Sequence, residues 1–93
     1  SAMSHETEAY LAAGMDAEEL AFVADVPGVR GADGQVARRL DRAAAEGLIA
    51  DGTVHGGMVP KVRAALDALA RGARSVRIVD VAGLAAGGGT VLR

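Results

Sequence analysis

The chain has 93 residues, a formal net charge of −2 and no cysteine, which bounds it to one domain and excludes disulfides and thiol chemistry. Although 51% of its residues are apolar, only Tyr10 and Phe22 are aromatic, so the disordered class is excluded and a thin core of small side chains is predicted. The sequence shows no basic face with interleaved aromatics, no apolar run of membrane-spanning length and no signal-peptide pattern, so we expect a cytoplasmic protein that binds neither nucleic acid nor a membrane.

The first residues predict a helix after a short leader. Ser1-Ala2-Met3 has the form of a cloning scar before a native start, and we leave it out of the fold. Glu6 to Met15 is rich in helix formers, and Thr7 or Ser4 can cap its start.

A buried strand and a ligand-facing loop are predicted next. Leu20 to Ala24 is an apolar run between charged residues, which is typical of a strand buried on both faces. Asp25 to Val29 ends that strand in a turn, because Pro27 and Gly28 break the pattern. In open α/β sheets ligands bind beyond the carboxyl ends of strands, which is where Asp25 lies; its carboxylate could also merely cap the turn.

The middle of the chain predicts a turn and then a helix. Gly31-Ala32-Asp33-Gly34 is a turn signal, so Val29 to Val36 forms either a small hairpin or an irregular excursion. Leu40 to Ala50 has apolar residues at a spacing of four and predicts a helix, which Asp51-Gly52 ends.

The second half predicts one long helix and two strands. Met58 to Arg71 carries an apolar stripe formed by Val59, Val62, Leu66 and Leu69, with Met58 expected in the core and Gly72 as the stop. Arg74 to Val81 predicts a second buried strand and Thr90 to Arg93 a short edge strand. Between them, Ala82 to Gly89 predicts a flexible connection too short for a full crossover helix. Asp80 ends a strand without an evident partner.

The start of the long helix has the features of a phosphate site. Gly56 and Gly57 leave the backbone amides accessible, and a helix start directs its positive dipole end outward. Pro60 suits the first turn because it lacks a donor, and Lys61 adds a full charge off the apolar stripe. The alternative is that the glycines form an ordinary turn and Lys61 is a solvated helix residue.

Three segments, in this order, resemble the amino acid kinase family, and within it the C-terminal half of the acetylglutamate kinases. They are Leu20 to Val29 (LAFVADVPGV), Leu48 to Val62 (LIADGTVHGGMVPKV) and Ser75 to Asp80 (SVRIVD). The resemblance implies an α/β fold, a partial three-layer sandwich whose short, mostly parallel sheet has flanking helices. Residues 4–93 would form a single nucleotide-binding half-domain. The implied activity is ATP-dependent phosphorylation of an acyl carboxylate in arginine biosynthesis, or of a related lysine-pathway acid.

The resemblance also implies roles for individual residues. Lys61 would stabilise the transferring phosphoryl group, and Mg²⁺ would arrive with the phosphates of ATP. One wall of the nucleotide site would consist of Asp25, Val26, Pro27, Gly28, Val29 and Arg30. The other would consist of Thr53, Val54, His55, Gly56, Gly57 and Met58.

The N-terminal end departs from the family pattern. Where the family has a segment like Asn-Ala-Asp-Thr, this chain has Ser4-His5-Glu6-Thr7. Glu6 then takes the place of the carboxylate that organises catalytic lysines, and Ser4 takes the place of the substrate-binding Asn without its amide. The N-terminal half of the family, with its glycine-rich loop, second lysine and acid-binding elements, has no counterpart, and Gly87-Gly88-Gly89 does not replace that loop.

Three functions are consistent with this pattern. In the first, the chain is part of an acetylglutamate-kinase-like enzyme and is inactive alone. It is then either a fragment of a longer chain or a partner that needs another chain for the acid site. Alternatively it is a nucleotide-binding or regulatory module without catalysis, or a structural remnant that assembles through its sheet edge or apolar helix face. Exposed edges and apolar surface predict a homo-oligomer. We expect no protein-ligated metal, because His5 and His55 belong to no ligand pattern and an isolated His55 is usually solvated or bonded to backbone.

Overall fold

The computed structural model of the chain describes residues 19–93 as an α/β unit with one four-stranded sheet. The strand order is β1-β3-β4-β2, and the helices lie between the strands in sequence. The elements are β1 (Glu19–Val23), β2 (Arg39–Leu40), α1 (Arg42–Ala50), α2 (Met58–Ala70), β3 (Ser75–Val79), α3 (Val81–Ala86) and β4 (Thr90–Leu92). The predicted helix from Glu6 to Met15 lies outside the described residues.

The sheet is mostly parallel, as expected, with one antiparallel pair at its centre. β1 pairs with β3 in parallel from Glu19↔Ser75 to Val23↔Val79. β4 pairs antiparallel with β3 and parallel with β2. The prediction that Thr90 to Arg93 forms an edge strand is therefore wrong, because β4 lies between two other strands. The short length of this strand suggested an edge position. Its actual position in the sheet depends on pairing with strands that are distant in sequence.

The core lies on the face of the sheet that α1 and α2 cover. Its buried strand residues are Leu20, Leu40, Val76, Ile78 and Leu92, and the helices contribute Ala45, Val62, Ala65, Leu66 and Ala68. Most of these side chains are Ala, Val or Leu, as the composition predicts. Burial of apolar area at about 25 cal/mol per Å² is the main stabilising term of such a core.

The predicted apolar stripe of the long helix is confirmed. Val62 and Leu66 are buried, and Val59, Leu69 and Met58 pack against the core. The helix begins at Met58 and ends at Ala70, within one residue of the prediction. α1 begins two residues later than predicted, at Arg42, since Asp41 caps its start by accepting from the amide of Ala44 at 2.7 Å.

The opposite face of the sheet carries the segment after β3. The predicted flexible connection contains a short helix, α3, which begins after Asp80 and ends at Gly87 in the left-handed conformation with φ +75°. It packs on the buried Val79, because a Cβ on Gly83 would lie 2.8 Å from Cγ2 of Val79. The connection is too short for a full crossover helix, as predicted, but a capping residue and a glycine stop allow six residues to form one short helix.

β1 differs from its prediction in burial. It spans Glu19–Val23 and alternates, with Leu20 buried and Glu19 and Ala21 exposed. Within residues 19–93 it is an edge strand that pairs only with β3. An edge strand with one covered face does not need apolar residues on both faces, so the prediction of burial on both faces is wrong.

Candidate functional site

The chain topology directs the predicted nucleotide-binding segments toward the same edge of the sheet. The loop of residues 25–30, here called the nucleotide loop, follows the carboxyl end of β1. The amide of Ala24 donates to the carbonyl of Val79 at 2.8 Å, so β1 and β3 end side by side. Only residues 71–74 join α2 to β3, and α2 packs on that strand. The helix therefore runs back along β3, which puts its first residues near the edge where β3 ends.

The nucleotide loop presents some of its residues to solvent and others to the core. Asp25, Pro27 and Arg30 are exposed, Val26 is half-buried, and Gly28 and Val29 are buried. The Val29 side chain belongs to the core, so only its backbone could face a nucleotide. A guanidinium nitrogen of Arg30 donates to the carbonyl of Gly34 at 3.0 Å, which directs this side chain along the following turn.

A small hairpin follows this loop, which settles the choice between a hairpin and an irregular excursion. Arg30 and Val36 form an antiparallel bridge, and the amide of Gly31 donates to the carbonyl of Gln35 at 2.9 Å. At the base of this hairpin, which comprises residues 29–37, the amide of Ala37 donates to the carbonyl of Val29 at 2.8 Å.

Gly28 is required by packing. A Cβ at this position would lie 2.7 Å from Cγ1 of Val36 and 2.9 Å from Oγ1 of Thr90. The nucleotide loop therefore passes directly against the hairpin and β4, without space for a side chain.

The start of α2 offers two free amides. Gly56 has φ +58°, and Gly57 occupies the capping position without a side-chain hydrogen bond. The amides of Met58 and Val59 already donate to the carbonyls of His55 and Gly56, at 3.3 and 3.2 Å. Among residues 19–93, the amides of Gly56 and Gly57 have no protein acceptor. An anion at this helix start would therefore bind mainly to the glycine amides.

Lys61 is the first positively charged residue of α2. It lies four residues after the cap, is half-buried, and forms no ion pair with another described residue. Pro60 lies in the first turn, as expected, where its missing N–H does not remove a helical hydrogen bond. The structure is compatible with a lysine whose ammonium group is available to a ligand.

The segment between α1 and α2 is held by its own polar groups. The amide of Thr53 donates to Oδ1 of Asp51 at 2.8 Å, and this donation lowers the pKa of Asp51 from its ordinary value of 3.8. Val54 is buried, and its amide donates to the carbonyl of Leu48 at 2.9 Å. His55 is exposed, and its Nδ1 lies 3.2 Å from the carbonyl oxygen of Thr53. The side chains of Thr53 and His55, but not that of Val54, are thus accessible to a ligand.

Two polar residues near this edge have roles that sequence reasoning missed. Asp80 caps α3, accepting from the amide of Gly83 at 2.7 Å; a signal for this was present, since Asp is a favoured N-cap residue. Thr90 is fully buried in β4, and its hydroxyl contacts the backbone of Val29 and Ala37. No local pattern indicated that role, because Val29 is 61 residues away in sequence.

A concavity of about 500 Å³ lies beside the hairpin, between it and the segment that follows α3. Its lining residues are Val36, Arg38, Arg77, Ala86, Gly87, Gly88, Gly89 and Val91, and none of them is a predicted site residue. The guanidinium of Arg77 is already engaged there, donating to the carbonyl of Gly88 at 2.8 Å.

Some predictions cannot be placed, and two kinds of feature are absent within residues 19–93. Glu6 and Ser4 lie outside the described residues. Among residues 19–93, no group of three or more His, Asp and Glu side chains could hold a metal ion. No helix in this part of the chain is long and apolar enough to cross a bilayer.

Curated relatives match most of this chain. Acetylglutamate kinase of Chloroflexus aggregans is 63% identical over 70 residues, which are 75% of this chain and 27% of the relative. Acetylglutamate kinase of Roseiflexus sp. is 47% identical over 87 residues, which are 94% of this chain and 33% of the relative. The chain thus spans about a third of these relatives or less.

Solved structures share the fold. A protein of Aeropyrum pernix K1 superposes with a TM-score of 0.71 at 30% identity, covering 88% of this chain and 29% of that one. N-acetylglutamate synthase from Neisseria gonorrhoeae, solved with coenzyme A and L-arginine, has a TM-score of 0.71 at 23% identity, covering 90% of this chain and 22% of that one. At that identity the second likeness concerns the fold alone.

The model of the amino acid kinase family matches residues 4–80. That range includes the nucleotide loop, the start of α2 and all of β3. The match, the curated relatives and the α/β fold agree with the resemblance read from the sequence, and this chain belongs to the amino acid kinase family.

Proposed function

We propose that this chain is the ATP-binding portion of an acetylglutamate-kinase-like phosphotransferase. The observation that carries the proposal is the start of α2, where the amides of Gly56 and Gly57 lie one turn before Lys61 and none of the three has a partner among residues 19–93. Backbone amides at a helix start bind phosphate oxygens, and an adjacent lysine compensates the charge that moves during phosphoryl transfer.

The nucleotide loop would form the second wall of this site. Its exposed Asp25, Pro27 and Arg30 follow the carboxyl end of β1, the edge at which ligands of open α/β sheets bind. Mg²⁺ would bind through the phosphates and retain several waters. Asp25 is the exposed carboxylate of this loop and is the residue we assign to orienting the bound nucleotide.

The same chain alone would not catalyse phosphorylation. Phosphoryl transfer depends on several preorganised positive groups, and of those predicted for catalysis the described residues contain only Lys61. The arginine- or lysine-pathway acid would be bound by elements outside these 93 residues. Those elements would belong to the same polypeptide or to a partner chain. Exposed Val81 and Leu84 on α3, at 73% and 45% accessibility, support association with such a partner or with a second copy.

Calorimetric titration with Mg·ADP at low salt tests the proposal. We expect the wild-type chain to bind, and Lys61→Ala to weaken binding about tenfold or more, since a hydrogen bond from a charged group contributes about 1.5–3 kcal/mol. Arg63→Ala is the matched control, because it removes a positive charge from an exposed position of the same helix.

The two variants separate a site from a general charge effect. Equal weakening by Lys61→Ala and Arg63→Ala would mean that net charge alone attracts the nucleotide. No heat from the wild-type chain at high protein concentration would contradict the proposal. The chain would then be a structural member of its family.

A further inference from the structure

The hydroxyl of Thr90 completes the base of the hairpin. Val29 and Ala37 face each other there, and the amide of Ala37 donates directly to the carbonyl of Val29 at 2.8 Å. In a regular antiparallel pair the amide of Val29 would in turn donate to the carbonyl of Ala37. Here the amide of Val29 donates to Oγ1 of Thr90 at 2.9 Å, and that hydroxyl donates to the carbonyl of Ala37 at 2.5 Å.

The hydroxyl thus replaces one backbone hydrogen bond of the hairpin and links the hairpin to the sheet. Thr90 is the first residue of β4 and pairs with Ile78 of β3. Both Thr90 and Val29 are fully buried, so water cannot substitute for this hydrogen bond without opening the structure. A buried amide left without an acceptor is costly.

This bridge fixes the end of the nucleotide loop. Gly28 lies against Thr90, with room only for a hydrogen where a side chain would begin. The loop is therefore held at β1 on one side, through the bond from Ala24 to Val79, and at Thr90 on the other. Between these two points, the exposed Asp25 and Pro27 could contact a ligand.

We propose that Thr90 is a positioning residue for nucleotide binding, because its hydroxyl holds the nucleotide loop at the edge of the sheet. The inference rests on the proposed function for its ligand and on the hydrogen bonds of the described residues for its mechanism. Thr90 itself does not contact the nucleotide. Its contribution is to hold the backbone of Gly28 and Val29 before the ligand arrives.

Thr90→Val tests the bridge, since it keeps the shape of the side chain but removes the hydroxyl. We expect amide exchange in residues 25–37, measured by NMR, to become about tenfold faster or more, while the amides of α2 stay protected. The dissociation constant for Mg·ADP should rise about tenfold, as expected when a preorganised loop is released. Thr90→Ser keeps the hydroxyl and should restore both properties largely.

Val76→Ala is the matched control for lost stability. It removes two methyl groups from a fully buried position near the opposite end of β3, and it should destabilise the chain without accelerating exchange selectively in the nucleotide loop. A Thr90→Val chain with unchanged exchange in the loop, or with exchange accelerated equally throughout, would overturn the inference. So would unchanged affinity in Thr90→Val while the wild type binds Mg·ADP.

Two further outcomes distinguish a failure of the proposed function from a failure of the Thr90 inference. A wild-type chain that binds no Mg·ADP would overturn the proposed function and the nucleotide part of this inference, whereas the exchange data would still decide whether the hydroxyl holds the loop. If Thr90→Val does not fold, the wild type provides the second test. Its Val29 amide should then exchange as slowly as the amides of β3, and exchange as fast as that of an exposed turn amide would overturn the bridge.

Discussion

Gly89→Ala should leave most of the chain unfolded. Gly89 has φ +90°, and a Cβ there would lie 2.5 Å from the carbonyl oxygen of Ile78 and 2.7 Å from Cβ of Val79. Neither atom can move aside easily, because both belong to the central strand β3. We expect a loss of more than about 4 kcal/mol in the free energy of unfolding, in the range of severe backbone and packing clashes.

Gly34→Ala is the matched control for this substitution. Gly34 has a similar φ of +80°, but nothing lies within 4 Å of an added Cβ. It should therefore cost only about 1–2 kcal/mol for the left-handed backbone. Denaturant unfolding monitored by circular dichroism measures both. Similar midpoints for the two variants would contradict the close approach of β3 to Gly89.

Ile78→Ala should be the second most damaging change. Ile78 is fully buried in β3, where it pairs with Phe22 of β1 and Thr90 of β4. Removal of a large buried aliphatic side chain costs about 2–5 kcal/mol, through lost burial and the cavity that remains. Because this core consists mainly of small side chains, few neighbours can move to fill the cavity, and we expect a cost in the upper half of that range.

Leu84→Ala is the control for the loss of an aliphatic side chain. Leu84 is 45% exposed on α3, so its truncation should cost about 1 kcal/mol or less. Both variants are measured by the free energy of unfolding in urea. Equal costs would contradict the assignment of the core to the face covered by α1 and α2.

Local signals predict α1 and α2 well, although they miss the short α3. The prediction for α2 holds to within one residue because Gly57, the apolar stripe and the terminal Gly72 all indicate the same boundaries. The predicted start of α1 is two residues early, since Asp41 caps the helix although the apolar spacing begins at Leu40. These features depend on residues within one or two turns, which a sequence displays directly.

The position of β4 and the role of Thr90 cannot be predicted in the same way. β4 has three residues, and its central place depends on antiparallel pairing with β3 and parallel pairing with β2. Thr90 lies in that strand and bonds to residues 53 and 61 positions away. Such contacts follow from the tertiary fold, and neither strand propensity nor turn chemistry contains them.

The candidate site is predictable in its parts but not in its details. The order of the nucleotide loop, the glycine pair and Lys61 along the chain is sufficient to indicate the family. The sequence does not show that Val29 and Val54 point into the core. Nor does it show that Met58 and Val59 already use their amides, which leaves those of the glycine pair for an anion.

Amide chemical-shift mapping with Mg·ADP is the most direct test of the nucleotide site. Titration of the isotope-labelled chain should shift the amides of Gly56, Gly57 and Lys61 together with those of residues 25–30. Arg77 and Gly88, which line the other concavity and are not predicted site residues, serve as an internal control. Shifts confined to that concavity, or no shifts at all, would contradict the assignment of an ATP-binding site to the start of α2.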